Sequence, residues 1–239
     1  MNGKRVGIAA VAVVLSAISV TVAITASSGR SSTSSSSPTY GWMMGGTSAP
    51  QWMMGGSLPG SMMGVTHDPG KVMGAALANA SGPRVNAVNA SHFGAQVPVD
   101  AVIDRATRRI TFSGPAATLS VLASPKGGPD ETFRIAGMVN PPLAVPMGAR
   151  VTIRIVNADA DTAHGFVVTR PEATSAWMPM TRSTPAFSGA AVWVLGNPTA
   201  AGMHSQTLTF TATSQGTYQY LCPVPGHAQK GMVGTLIIN

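Results

Sequence analysis

The chain has 239 residues, of which 44% are hydrophobic and 10% charged, with fourteen methionines and one cysteine. A single cysteine excludes an intrachain disulfide, a cysteine-rich zinc site and an iron–sulfur cluster, and five histidines leave room for one metal site but not for a large copper cluster. The formal charge of +7 is spread thinly, with eleven basic and seven acidic residues over 81–239 and no basic helix or aromatic–basic interleaving, which argues against nucleic-acid binding.

Lys4 and Arg5 precede an uncharged run, Val6 to Ala26. As a helix rising about 1.5 Å per residue it would span roughly 31 Å, close to the ~30 Å hydrocarbon core of a bilayer. Two readings of residues 1–26 stand: a signal peptide cleaved near Ala26, or a membrane anchor with Lys4 and Arg5 on the cytoplasmic side. Both place the rest of the chain outside the cytoplasm, anchored to the membrane or secreted after cleavage.

Residues 27–90 read as a low-complexity linker rich in Ser, Gly and Met. Ser27 to Pro38 has no periodicity and too little apolar surface to fold. Trp42-Met43-Met44-Gly45-Gly46 recurs as Trp52-Met53-Met54-Gly55-Gly56, with a degraded copy at Ser61-Met62-Met63-Gly64. Thioethers are soft ligands, so the repeat suits Cu(I), and His67 could add a nitrogen. The competing reading is a plain tether whose Met and Trp side chains touch the membrane or the domain surface.

From about Ser91 the pattern becomes that of short strands. Runs rich in Val, Ile, Thr and Tyr are separated by Gly, Pro, Asn and Asp. Strands are expected at Arg109–Phe112, Thr118–Ala123, Glu131–Gly137, Arg150–Asn157, Phe166–Thr169, Gln206–Thr213, Thr217–Leu221 and Gly234–Ile238. Apolar and polar residues alternate in Val151-Thr152-Ile153-Arg154-Ile155, as in a half-buried strand. Residues 91–239 therefore read as an all-β domain, a sandwich or barrel. Pro171 to Met203 reads as an insertion of loops.

The lone cysteine lies in Cys222-Pro223-Val224-Pro225-Gly226-His227-Ala228-Gln229-Lys230-Gly231-Met232, which is Cys-x4-His-x4-Met. At the His and Met frequencies of this chain, both offsets would be filled by chance about once in 800 tries. A thiolate, an imidazole and a thioether on one Gly- and Pro-rich loop between strands can converge on one ion. Cys with two His in a plane and a long axial Met is the blue-copper arrangement. The second His must come from elsewhere, and His164, at the start of an apolar strand, is the best placed. His204 and His92 are the rivals and read as solvated.

These residues resemble the cupredoxins. Cys-Pro-Val-Pro-Gly-His with Gly-Met-x-Gly is similar to the rusticyanin, sulfocyanin and auracyanin branches. The resemblance extends to Ala136-Gly137-Met138-Val139-Asn140-Pro141, to Val145-Pro146-x-Gly148-Ala149-x-Val151, to His164-Gly165-Phe166-Val167-Val168 and to Trp177-Met178-Pro179-Met180. It covers roughly Val102 to Asn239. It implies a Greek-key cupredoxin fold, following the N-terminal hydrophobic helix and disordered linker, and one type 1 copper per chain. His164, Cys222 and His227 would be equatorial ligands and Met232 axial. Family members often carry Asn or Ser where this chain has Gly165, which removes a side chain able to lock the ligand loop.

A site closed by four protein ligands has no open position for substrate, so single-electron transfer is expected rather than catalysis. The partners expected are redox proteins, a respiratory donor and acceptor, with the membrane reached through the N-terminal segment and the chain a monomer. Pro223 and Pro225 lack N–H groups, which limits donors near the thiolate and favours Cu(I). Phe166, Val224 and Met180 are expected to exclude water, with His227 an exposed electron port in an apolar rim. The second function considered is copper delivery, using this site and the Met-rich tether.

Overall fold

A computed structural model describes residues 68–171, 180 and 183–239. The segment read as signal or anchor (1–26), the Met repeats, His67 and Trp177-Met178-Pro179 lie outside the described residues.

Alternation builds the longest strands. Along Arg150–Asn157, Val151, Ile153 and Ile155 are buried while Arg150 and Arg154 face solvent. Along Met203–Thr211, Leu208 and Phe210 turn inward between outward threonines. In chain order the elements are helix α1 (Pro69–Ala76), strand β1 (Arg84–Val85), helix α2 (Ala87–Ala95), then strands β2 (Ala101–Asp104), β3 (Arg109–Phe112) and β4 (Ala116–Ala123). They continue through β5 (Phe133–Ile135), β6 (Met138–Val139), β7 (Leu143–Val145), β8 (Arg150–Asn157) and β9 (His164–Thr169). Last come β10 (Ala191–Leu195), β11 (Met203–Thr211), β12 (Gly216–Leu221) and β13 (Val233–Ile238).

Two mixed sheets form. One runs β1-β11-β8-β4-β5-β6 and the other β10-β9-β12-β13-β7-β3-β2. One apolar core joins residues of both, including Leu119, Ile153, Phe210, Phe166 and Leu236. The all-β sandwich expected from the sequence is what forms. At its centre Phe166 stacks on Tyr220 at 5.2 Å between ring centroids and meets Phe133 edge-on at 5.1 Å. Each such pair adds about 0.5–1.5 kcal/mol beyond burial. The Tyr220 ring lies over its cross-strand partner Gly234, where a Cβ would fall 2.1 Å from the ring, and its hydroxyl donates to the Pro141 carbonyl at 2.7 Å.

Two expectations need correction. The linker read over 27–90 does not run through 69–90, which holds α1 and β1 and the start of α2. Asp68 caps α1 by accepting the Gly70 N–H at 2.8 Å, and Pro69 occupies the first turn, where its missing N–H costs nothing. Asn86 caps α2 in the same way through the Asn89 N–H. The Pro171 to Met203 insertion also contains a strand, β10, which pairs with β9 and is buried along nearly its whole length.

Candidate metal centre

Sheet pairing delivers the ligands to one end of the sandwich. β9 and β12 are antiparallel neighbours, with Leu221 opposite Val167, so His164 at the start of β9 lies beside Cys222 just past the end of β12. The loop from Cys222 to Met232 then closes on itself. The Cys222 N–H donates to the Met232 carbonyl at 3.0 Å, and the Met232 N–H donates to the His227 carbonyl at 2.9 Å. Gly226 and Gly231, at φ 84° and 107°, make the bends that side chains resist. The Asn140 side chain pins this loop, donating to the Gly231 carbonyl at 2.9 Å while accepting the Phe133 N–H at 2.8 Å.

Cys222 Sγ lies 3.5 Å from His227 Nδ1 and 3.8 Å from His164 Nδ1, and the two Nδ1 atoms are 3.2 Å apart. All three side chains, and Met232, are fully buried. A first-row ion with bonds of about 2.0 Å to nitrogen and 2.3 Å to sulfur, at the centre of a trigonal plane, spaces its donors by about 3.5 Å. The observed triangle has that size. Its soft donor and two imidazoles are the set that suits copper.

Burial governs the acid–base character of these groups. It pushes the Cys222 thiol up to about 12, against the pull of the Gly165 and Val224 N–H groups. It pushes the His227 imidazole down to about 3, with the nearby His164 ring acting in the same sense. Without a metal the buried thiol therefore keeps its proton and the His227 imidazole stays neutral, so a bound cation would have to displace the proton from sulfur.

Gly165 has a structural cause. β10 runs so close that a Cβ here would lie 2.3 Å from the Trp193 carbonyl oxygen and 2.6 Å from that of Val192. The Gly165 N–H points at Cys222 Sγ from 3.4 Å, a bond to the ligand loop that needs no side chain.

The outer edges of the two histidines differ. His164 Nε2 is 2.9 Å from Asp159 Oδ2. Burial alone would raise the Asp159 carboxyl, but bonds from His164 and the Asp161 N–H hold it below the usual carboxylate value. Among the described residues His227 Nε2 has no hydrogen-bond partner, and the nearest carboxylate oxygen, Glu131 Oε1, is 4.0 Å away and bound to Lys230. Asp159 carried no signal in the sequence, because Asn157-Ala158-Asp159-Ala160-Asp161 reads simply as a turn.

His227 is not the exposed port expected. α1 lies across it, and the surroundings are polar, formed by Asp68, Gly70 and the Glu131–Lys230 pair, rather than an apolar rim. Phe166 and Val224 are fully buried and Met180 is nearly so, its N–H donating to the Pro223 carbonyl at 3.2 Å. Of the rival histidines, His92 is exposed as expected. His204 is not solvated: it is buried, with Nε2 3.0 Å from the Ala78 carbonyl oxygen, apart from the ligand trio.

The β-sandwich with a buried His–Cys–His triangle at one end defines a cupredoxin, the class of protein built around one type 1 copper that carries electrons. The pattern of the copper binding proteins of the plastocyanin/azurin family matches residues 139–239. Rusticyanin of Acidithiobacillus ferrooxidans is 31% identical over 130 residues, covering 54% of this chain and 81% of that protein. Auracyanin-A of Chloroflexus aurantiacus is 34% identical over 106 residues, 41% of this chain and 64% of its own length. The 1.27 Å structure of rusticyanin from Thiobacillus ferrooxidans superposes with a TM-score of 0.56 at 23% identity, over 66% of this chain and 96% of that one, and shares the fold. The chain belongs to the cupredoxin family, in its rusticyanin-like branch, and copper is its cofactor.

Proposed function

We propose that this protein is a monomeric carrier of single electrons between redox proteins outside the cytoplasm, and not an enzyme. His164, Cys222 and His227 would hold the copper, with the buried Met232 supplying a fourth, thioether donor. The carrying observation is the triangle of Sγ and two Nδ1 atoms, 3.2 to 3.8 Å on a side and sealed from solvent. Bound copper would alternate between Cu(I) and Cu(II). The protein's part is to fix the donors so that neither state demands rearrangement. The Met232–His227 and Cys222–Met232 backbone bonds, the Asn140 pin and the Gly165 N–H all serve that end. Phe166, Val224 and Met180 exclude water, which denies a substrate access to the metal. The basic start and apolar run of residues 4–26 support export, with or without a retained membrane anchor.

The test is optical. The copper-loaded protein should show the intense visible band of a thiolate–Cu(II) bond at one copper per chain, and Cys222→Ser should abolish it. A colourless complex would refute the reading. More than one Cu(I) per chain, with transfer to an acceptor, would instead support copper delivery through the Met-rich tether.

A further inference from the structure

We infer that Asp159 is a positioning residue for the copper centre, one that fixes the proton of His164 on Nε2 and biases the site toward Cu(II) by placing a carboxylate on one ligand histidine alone. This deepens the copper reading and rests on it.

The contact is built rather than incidental. Asp159 donates its own N–H to Asn157 Oδ1 at 3.0 Å, and its second carboxylate oxygen accepts the Asp161 N–H at 3.1 Å. Asn157 is fully buried, with Nδ2 at 3.0 to 3.2 Å from the carbonyl oxygens of Thr162, Leu195 and Gly196. The Ala158 N–H is taken by the Ala123 carbonyl at 3.0 Å. The start of the turn is therefore tied to β10 through Asn157 and to β4 through Ala158, with Asn157 also reaching across to Thr162, and Oδ2 is held 2.9 Å from Nε2 of a ring with no solvent exposure.

A neutral imidazole facing a carboxylate carries its proton on that side. The lone pair of Nδ1 is then left pointing at Cys222 Sγ and His227 Nδ1, where the metal belongs. The bond also makes the ring a more basic donor, and the negative charge favours the higher cation charge. The nearby cations have closer partners than Asp159: Lys71, although it also feels the Asp159 charge, pairs with Asp161 at 2.7 Å, and Lys230 pairs with Glu131. Among the described residues His227 has no equivalent partner. The two N–H groups that act on the Cys222 sulfur, from Gly165 and Val224, stabilise the thiolate and work against this bias toward Cu(II).

Asp159→Asn in the full chain isolates the effect, since the amide keeps the shape and an acceptor oxygen but loses the charge. Losing such a partner typically costs 10–100-fold in metal affinity. Here the loss should fall on Cu(II) at least tenfold more than on Cu(I), raising the reduction potential by about 59 mV per tenfold. Voltammetry beside the visible spectrum reads this, with the wild-type band retained in the variant. An unchanged or lowered potential in a variant that keeps the band overturns the inference while leaving the copper reading intact. Absence of the band in the wild type sinks the reading itself. A second measurement needs neither copper nor a variant: nitrogen NMR of the metal-free protein should find the His164 proton on Nε2, and finding it on Nδ1 overturns the inference.

Discussion

Gly70 stands directly over His227: a methyl group built on its Cα would sit 2.8 Å from the ring's Nε2 and 2.7 Å from the Thr162 methyl. One turn on, Gly74 makes the same approach to Ala163 and Asn197. The carbonyls of the two glycines accept the N–H groups of Ala163 and Asn197, each at 2.9 Å. Two glycines four apart thus let α1 lie flush on the outer face of the metal centre, with no side chain between.

Gly74→Ala should therefore behave against its helix propensity. In an open helix the change would stabilise by about 1 kcal/mol. Here the new Cβ would sit 2.8 Å from the Ala163 nitrogen, which is main chain and cannot swing away. The expected result is a less stable protein with faster hydrogen exchange at the Ala163 and Asn197 amides, and faster reduction of its copper by small electron donors. Unaltered exchange at both amides would show that α1 tolerates the displacement.

Gly165→Ala meets two carbonyl oxygens of β10 at 2.3 and 2.6 Å. Overpacking of this kind costs about 1–3 kcal/mol. Because the Gly165 N–H also faces Cys222 Sγ, the thiolate–copper absorption should shift along with the midpoint of thermal unfolding. A stability loss with an unmoved band would disconnect this amide from the sulfur.

Copper uptake should release the proton of Cys222, whose thiol burial pushes up to about 12. Affinity should then rise about tenfold per pH unit between about pH 7 and pH 10. Competition against a chelator of known affinity measures the slope, and a flat profile would mean that the thiol is already ionised in the free protein.

His204 supplies a pH dependence away from the metal. Burial, with Arg84 adding to it, holds its imidazole below the ordinary value of 6.5, while the Ala78 carbonyl acts in the opposite sense. The unfolded chain therefore binds a proton that the folded chain refuses, and stability falls as pH drops below about 6.5, by at most ~1.4 kcal/mol per unit. His204→Gln keeps a donor for Ala78 and loses the titration. Urea unfolding between pH 7.5 and 5.5 should give a flatter stability profile for the variant, and parallel profiles would rule His204 out as a source of the slope.

The ligand loop was legible because chemistry and proximity coincide in it: three ligand types fall within residues 222–232, at offsets chance rarely fills. Strands β3 and β8 were legible to their ends because one face of each is wet, so polarity alternates. β10 was not, since Val192-Trp193-Val194-Leu195 is buried on both faces and lacks that rhythm. β9 begins two residues before the expected start, because His164 and Gly165 join the ladder while serving the metal. α1 was hidden by its own start signals. Asp68-Pro69-Gly70 reads as a turn, and only the Asp cap with Pro in the first turn separates it from one. That misreading carried two others, since His204 and His227 are both covered by the segment taken for linker. Asp159 depends on a contact through space that no spacing rule encodes.

β13 occupies the middle of its sheet although it is the latest of the seven strands in sequence. It pairs antiparallel with β12 and parallel with β7, and so joins the half that carries the ligands to the half formed by β7, β3 and β2. A ribosome releases residues in order, so before β13 emerges these are two sheet fragments with no shared edge. The loop from Cys222 to Met232 is anchored at only one end until then. Copper loading must therefore follow synthesis of the domain rather than accompany it, and a nascent chain stalled before Val233 would present a thiol with no formed site to receive the metal.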